Sequence, residues 1–372
     1  MRVLHVYKSY YPDSVGGIEQ VIAQLGAALK GAGDESRIFT LSPNPDPAVL
    51  VRSEGEVHRC RTTVEISSNP LSISALGEFR RQLAWADVVH YQFPWPFADL
   101  LHFTSGIRKP SVVSYQSDIV RQKLLLHAYA PLMYRFLRQV DAVVATSPQY
   151  RDSSPVLKHL HREVRVIPNG IDETSYPEPQ RSRLEAWREI LGEGFFLFVG
   201  VLRYYKGLET LLRAAGGFEG RIVIAGTGPE AEHLQQYADS QRLANVRFVG
   251  AVSDEDKIAL IRLSRAFVFP SHLRSEAFGM SLLEAAMHAR PMVCCEIGTG
   301  TSYINVHGET GFVVPPEDPV ALQDAMHRFL RDPELAERMG AAARSRFLAH
   351  FTAQEMARSY HALYRELAMA SR

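Results

Sequence analysis

Ala266-Phe-Val-Phe-Pro-Ser-His-Leu-Arg-Ser-Glu-Ala-Phe-Gly-Met-Ser-Leu-Leu-Glu284 opens with a run of β-formers, breaks at Pro270, and takes up helical spacing from about Ser281 to His288. A short apolar strand, a polar loop and an apolar helix, in that order, make the repeating half of a parallel sheet covered by helices. The pattern recurs on both sides. Further strands are expected at 195–199, 221–225, 246–249, 291–295 and 311–314, with helices near 208–215, 230–242, 255–264 and 321–330. Upstream, a separate series of strands is expected at 3–7, 37–41, 88–91, 111–114, 142–145 and 164–167. Its first helix, 19–30, puts Val21, Ile22, Leu25, Ala28 and Leu29 at helical spacing and stops at Gly31-Ala-Gly33. Between the two series, 168–183 is rich in proline and charge, has no apolar period, and reads as a linker. The fold class is therefore α/β, two doubly wound domains in tandem. An amphipathic helix closes the chain at about 352–370, with Met356, Tyr360, Leu363, Tyr364 and Leu367 on one side, and must dock on a surface already formed.

At 372 residues the chain exceeds one ordinary core and fits two. Apolar residues at 46% and charged residues at 22% are ordinary for a globular protein, and 41 basic against 41 acidic side chains give no sign of a nucleic-acid tail. Charge is unevenly spread. Residues 1–170 hold 19 Lys and Arg against 15 Asp and Glu, with the excess between Arg80 and Arg165; this reads as a basic face or as ordinary solvated surface. Three cysteines, Cys60 and the adjacent Cys294 and Cys295, cannot build a disulfide framework and read as small buried side chains of a reducing compartment, the cytoplasm. The N-terminus enters a strand without the features of a signal peptide, and no run nears the roughly 18 apolar residues of a membrane span, so any membrane contact is expected to be peripheral.

In sheets of this kind ligands bind beyond the carboxyl ends of the strands, and between two domains the cleft is the expected site. After the first strand, Gly16-Gly17 precedes a helix; glycine lets a ligand approach the backbone and the helix N–H groups suit a phosphate or sugar oxygen, although such a pair also makes a plain tight turn. The dinucleotide fingerprint G-x-G-x-x-G is absent there, and Gly226-Thr-Gly228-Pro reads better as a helix start than as half of it. The loop Gly200-Val-Leu-Arg-Tyr-Tyr-Lys-Gly207 holds two cations suited to a pyrophosphate, Lys206 as a point charge and Arg203 as a bidentate fork, or simply to water. In the opening segment Glu276 lies in the loop, Phe278-Gly279-Met280 enters the helix, and Glu284 follows on it. Amides at 278–280 can take phosphate oxygens while the carboxylates accept hydroxyl protons on either side; in a nucleotide sugar those hydroxyls belong to sugar and ribose. Asp254-Glu-Asp256 has the D-x-D form of some metal sites but follows Ser253 and reads as helix capping, so no metal is expected. Phe93-Pro-Trp-Pro-Phe97 lines an acceptor groove, touches lipid, or packs under a loop.

Taken together these loops resemble glycosyltransferase family 4, built on the GT-B fold. The likeness spans nearly the whole chain and rests on Gly16-Gly17, Ile167-Pro-Asn-Gly-Ile-Asp172, Lys206-Gly207, Gly226-Thr-Gly228, the Glu276/Glu284 pair and Gly311-Phe-Val-Val-Pro315. It implies two Rossmann-like domains facing a cleft, 1–170 binding the acceptor and 171–351 binding the nucleotide sugar, with the last helix (352–372) crossing back to complete the first. It also implies a retaining, metal-independent hexosyltransferase with no cofactor beyond its donor. Glu284 would hold ribose, Glu276 the transferred sugar, Phe278, Gly279 and Met280 the phosphate through their amides, and Lys206 the departing diphosphate. Gly16, Gly17 and Arg203 complete the donor-binding set.

Two positions depart from the family. Val201 stands where an Arg is common, leaving Arg203 as the nearest guanidinium, and Gln116 stands where a His approaches the sugar's C6 hydroxyl. Gln116 remains a catalytic candidate beside Glu276 and Lys206. A 6-deoxy donor would lack that hydroxyl, and a chain that only binds carbohydrate would not need the His. The segments 7–20, 202–207 and 296–303 resemble the bacterial branch that builds mannose- or rhamnose-containing O-antigen. That implies a GDP-linked donor of mannose or D-rhamnose, a lipid-linked saccharide acceptor, and work at the inner face of the cytoplasmic membrane, where a basic domain meets anionic lipid. A nucleotide-sugar epimerase, which shares the two-domain layout, is the alternative, with a degenerate carbohydrate-binding protein behind it.

Overall fold

The computed structural model describes residues 1–67, 69–119 and 123–370. The chain divides into two compact units, Met1–Ile171 together with Thr352–Arg372, and Asp172–Phe351. In the first unit the strands are β1 (Arg2–Val6), β2 (Glu35–Ser42), β3 (Val49–Val51), β4 (Glu56–Arg61), β5 (Val64–Ile66), β6 (Asn69–Leu71), β7 (Val88–Phe93), β8 (Ser111–Tyr115), β9 (Ala142–Ala145) and β10 (Arg165–Val166). Eight of them form one sheet in the order β10-β9-β8-β7-β1-β2-β4-β3, and β5 and β6 pair by themselves. Every pairing in the large sheet is parallel except β3 with β4.

All six residues of β7 are buried, as a central strand covered on both faces requires, yet two of them are His90 and Gln92. β4 was not expected from the sequence because Glu56-Val-His-Arg-Cys-Arg61 has little apolar content. Its polar side chains find partners within the protein instead: Arg59 reaches Asp13 at 2.8 Å and Ser42 at 2.9 Å through Nη2, and His58 Nδ1 lies 3.0 Å from the Gln82 amide. The aromatic run packs rather than lining a surface: Phe93 and Trp95 are buried, and the Trp95 indole donates to the Pro70 carbonyl at 3.1 Å.

The closing helix, Ala353–Ala370, belongs to this first unit. Met356, Tyr360, Leu363 and Tyr364 are buried, which the apolar stripe demanded, and the two tyrosine hydroxyls reach inward to Ser114 and His90. Ala353 N–H donates to the Ile171 carbonyl at 3.0 Å, tying the returning chain beside the residue at which it left.

The second unit holds β11 (Phe196–Val199), β12 (Ile222–Ala225), β13 (Val246–Gly250), β14 (Ala266–Phe269), β15 (Met292–Cys295) and β16 (Gly311–Val314). Their order is β13-β12-β11-β14-β15-β16, all parallel. The chain therefore winds outward from β11 one way and from β14 the other, leaving a topological switch point between those neighbours. Short apolar runs such as Ala266–Phe269 are wholly buried. Helices Arg181–Leu191 and Pro333–His350 were not read from the sequence; the first is mostly exposed, with Leu184, Trp187 and Leu191 set among charges, and the second is punctuated by alanine and arginine and lacks a strong apolar period.

Candidate functional site

The switch point of the second unit gathers the residues singled out in the sequence. Gly207 ends the loop after β11 with φ +67°, and a Cβ there would stand 2.0 Å from the Pro270 carbonyl oxygen. Only glycine allows that approach. It seats the β11 loop directly on the β14 loop, and His272 N–H donates to Tyr205 O at 3.0 Å to fasten the two. On the other side Leu202 N–H donates to Thr227 O at 2.9 Å, and Glu230 N–H to Leu202 O at 3.1 Å, so the β12 loop joins the same array.

Lys206 and Glu276 meet as a result. Lys206 Nζ lies 2.5 Å from Glu276 Oε2, each residue only 9% exposed. The ammonium also sits 4.6 Å from the centre of the Phe269 ring and 5.4 Å from that of Tyr205, and Ser271 Oγ donates to the same carboxylate oxygen at 3.4 Å. A buried cation with a partly shared counter-ion is a ready receiver for a more highly charged anion.

Beyond Glu276, Phe278 is buried and Gly279, with φ +98°, caps the helix Met280–Met287. Among the described residues none accepts from the amides of Phe278 or Gly279, so the helix start offers N–H groups in the direction a phosphate needs. Glu284, one turn further along, is 4% exposed. Its Oε1 accepts from Lys257 Nζ at 2.8 Å and from the Tyr176 hydroxyl at 3.1 Å. Lys257 also touches Asp254 at 2.9 Å. Burial presses the Lys257 ammonium toward neutrality, but the Glu284 charge and hydrogen bond, with Asp254 behind them, outweigh it and hold its pKa above that of a free lysine. Lys257 was missed in the sequence because one cation near a helix start looks like solvated surface; its spacing of three from Asp254 was the available signal.

Arg203 stays apart. It is exposed and lines a cavity of about 290 Å³ with Tyr204, Arg213, His233 and Glu317, outside the Lys206–Glu276 pair. The D-x-D segment behaves as a cap: Ser253 Oγ accepts from Asp256 N–H at 3.1 Å, and the Asp256 carboxylate accepts from Trp187 at 2.8 Å. Among the described residues no three His, Cys, Asp or Glu side chains gather as a metal set, and no helix is long and apolar enough to cross a membrane.

In the first unit Gly16 precedes the helix Gly17–Gly31, and Glu19 on its first turn accepts from the hydroxyls of Ser9 at 3.0 Å and Ser14 at 2.7 Å, bracing the loop after β1. β1 and β7 flank the switch point of this sheet. Gln116, just past β8, is 4% exposed and held at both ends: its Nε2 donates to Gln92 Oε1 at 2.9 Å and its Oε1 accepts from Asn169 Nδ2 at 3.2 Å.

Two Rossmann-like units, the second with a buried Lys–Glu pair and an open helix start at its switch point, have the make-up of a GT-B glycosyltransferase. The chain belongs to glycosyltransferase family 4: the family described as Glycosyltransferase Family 4 matches residues 15–175, and that described as Glycosyl transferases group 1 matches 182–346. Among its relatives, the D-rhamnosyltransferase WbpZ of Pseudomonas aeruginosa is 53% identical over 95% of this chain and 93% of that one. The O-antigen chain mannosyltransferase C of Escherichia coli is 45% identical over 99% of both. Among solved structures, sucrose-phosphate synthase from Thermosynechococcus elongatus superposes with a TM-score of 0.82 at 23% identity, covering 99% of each chain, a likeness of fold.

Proposed function

We propose that this glycosyltransferase moves a hexose, mannose or D-rhamnose, from a GDP-linked donor to a lipid-linked saccharide in O-antigen synthesis, with retention of anomeric configuration and without a metal. The observation that carries the reading is the buried Lys206–Glu276 pair beside the amides of Phe278 and Gly279, with Glu284 one helical turn on. The names of the two relatives above support the hexose and the polysaccharide.

In the reaction the bond from the sugar's C1 to the β-phosphate oxygen breaks while the acceptor oxygen adds on the same face. The acceptor's proton passes to the departing phosphate oxygen, so no side chain need act as nucleophile. Negative charge grows on the diphosphate, and Lys206 and the helix amides meet it there; losing one such donor typically costs about 3 to 4 kcal/mol of barrier. Glu276 accepts a hydroxyl proton of the transferred sugar and Gln116 contacts another of its hydroxyls. Glu284 takes the ribose with Oε2, because both of its protein contacts fall on Oε1. Gly16, Gly17 and Arg203 have supporting roles toward the donor. The basic excess of residues 1–170 suits a peripheral stay at an anionic membrane on the cytoplasmic side.

The decisive experiment titrates GDP against UDP, then assays transfer from GDP-mannose and GDP-D-rhamnose to a lipid-linked GlcNAc acceptor, with and without EDTA. Glu276→Ala is expected to depress turnover and Glu284→Ala chiefly to weaken nucleotide binding. Undiminished transfer by both variants refutes the assignment; isomerised sugar nucleotide formed without acceptor points to an epimerase; loss of activity in EDTA refutes the metal-free mechanism. The anomeric coupling in the product reads retention directly.

A further inference from the structure

The loop that follows β1, residues 7–16, is held by side chains that reach it from other strands. Arg59 does so from β4, two places away in the order β1-β2-β4. The residue is 6% exposed, and its Nη2 lies 2.8 and 3.0 Å from the two carboxylate oxygens of Asp13. The same guanidinium donates to Asn44 O at 2.8 Å, to Ser42 Oγ at 2.9 Å and to Pro47 O at 3.1 Å. One side chain thus ties the loop after β1 to the loop after β2 at the carboxyl edge of the sheet.

Other contacts already secure the rest of the loop. Tyr7 and Tyr10 pack with Ile22, Ile38 and Val57, the Tyr10 hydroxyl donates to Glu54 at 2.8 Å, and the Arg52 guanidinium lies 4.8 Å from the centre of the Tyr11 ring. Nothing in that packing calls for a buried charge at Arg59. A buried ion pair adds little stability over apolar side chains of the same volume, since both charges must leave water. Arg59 Nε is, in addition, buried with no hydrogen-bond partner, a further cost to stability. What a guanidinium supplies is direction: five N–H donors on a rigid plane fix where a carboxylate and its loop can sit.

Asp13 precedes Gly16 by three residues, a span of at most about 11 Å. That is close to the Debye length of about 10 Å at 0.1 M salt, so an unpaired Asp13 would repel an anion brought to the two glycines. Among the described residues none accepts from the amides of Gly17 or Ile18, which open the helix Gly17–Gly31. We infer that Arg59 is a positioning residue for the transfer, acting through Asp13. It fixes the end of the loop that carries Gly16 and Gly17, and it cancels a carboxylate charge that would oppose the donor's diphosphate. The inference rests on the donor-side role proposed above for the two glycines; Arg59 itself touches no substrate.

Arg59→Met, Arg59→Lys and the double variant Arg59→Met with Asp13→Asn separate position from charge. Titration calorimetry with GDP-mannose, GDP-D-rhamnose and UDP-glucose reads donor affinity at about 0.1 M and about 1 M NaCl, where the Debye length falls to about 3 Å. Each variant is compared with the wild type at the same salt, and Tm reports folding. For the donor that the wild type binds, Arg59→Met should raise Kd about tenfold at low salt and about threefold at high salt. Adding Asp13→Asn should bring the low-salt figure down to about threefold, and Arg59→Lys, which keeps the charge without the rigid plane, should show about threefold at both salts. A lowered Tm with donor Kd unchanged makes Arg59 a structural residue alone and overturns the inference. A rise that neither salt nor Asp13→Asn alters does the same. If Arg59→Met does not fold, Arg59→Lys decides the matter: a Kd equal to that of the wild type is a refutation. Binding of UDP-glucose alone overturns the GDP donor proposed above, while the same comparison on UDP-glucose still judges Arg59. A wild type that binds none of the three overturns both.

Discussion

Glu276→Ala strips Lys206 of the one carboxylate partner it has among the described residues, and the size of the damage follows from what remains. Removing one member of a buried ion pair costs about 3–5 kcal/mol because the other charge stays behind undissolved. Here the ammonium keeps the rings of Phe269 at 4.6 Å and Tyr205 at 5.4 Å, which offset about 1 kcal/mol. A net loss of about 2–4 kcal/mol remains, and for a unit running from Asp172 to Phe351 each kcal/mol moves Tm by about 2–4 °C. Differential scanning calorimetry should therefore show the transition of the second unit lowered by roughly 5–15 °C. Lys206→Met combined with Glu276→Leu removes both charges and should recover most of that loss, while transfer stays abolished; stability and chemistry then separate in one cycle. A Tm unmoved by Glu276→Ala, with a coupling below about 0.5 kcal/mol between the two positions, would show both charges to be solvated and the reasoning wrong.

Other outcomes follow from the same geometry. Gly207→Ala forces a Cβ to 2.0 Å from the Pro270 oxygen at φ +67°, and chemical denaturation should report a loss of about 2–4 kcal/mol together with weaker diphosphate binding. Lys257→Met leaves Glu284 with Tyr176 alone on Oε1, so the preference for GDP over its 2′,3′-dideoxy analogue should shrink by about tenfold in titration, with Lys257→Arg recovering part of it; an unchanged ratio would deny Lys257 a positioning role. His5, His102 and His288 are each held by burial at a pKa of about 4, below the 6.5 of an unfolded chain. The unfolded state thus binds more protons between those values, so stability is complete above about pH 6.5 and falls toward pH 4, by up to about 1.4 kcal/mol per pH unit for each group. Urea midpoints at fixed ionic strength should follow that slope, and His5→Gln should flatten it.

Much of the second unit was legible in the sequence because its strands are short and apolar: Ala266–Phe269, wholly buried, and Gly311–Val314, mostly so, need only composition and their flanking breaks to be seen. β4 was hidden because its polar side chains find partners outside the strand, Asp13 for the charge of Arg59 and Ser42 and Gln82 as hydrogen-bond partners. The site divides in the same way. Glu276, Glu284 and Lys206 announce themselves by spacing and by the glycines beside them. Lys257 does not, since what sets it apart is a partner, Glu284, that only the folded chain supplies. Arg203, read from its charge and its loop, lies exposed at a cavity beside the buried pair, and its part in binding follows from the proposed function rather than from a contact with that pair.

The return of the last helix to the first unit makes synthesis and folding run out of step. Tyr360 and Tyr364 are the inner partners of Ser114 and His90, so a nascent chain that has finished β10 still shows the polar face of its sheet to water. At about 5–20 residues per second, the interval between Ile171 and Thr352 leaving the ribosome lasts about 10–35 s. At its end the second unit has emerged whole and has everything it needs to fold, while the first still waits for its closing helix. The half made first is thus completed last, and a chain cut short before Thr352 would yield a closed C-terminal unit attached to an N-terminal one prone to aggregation.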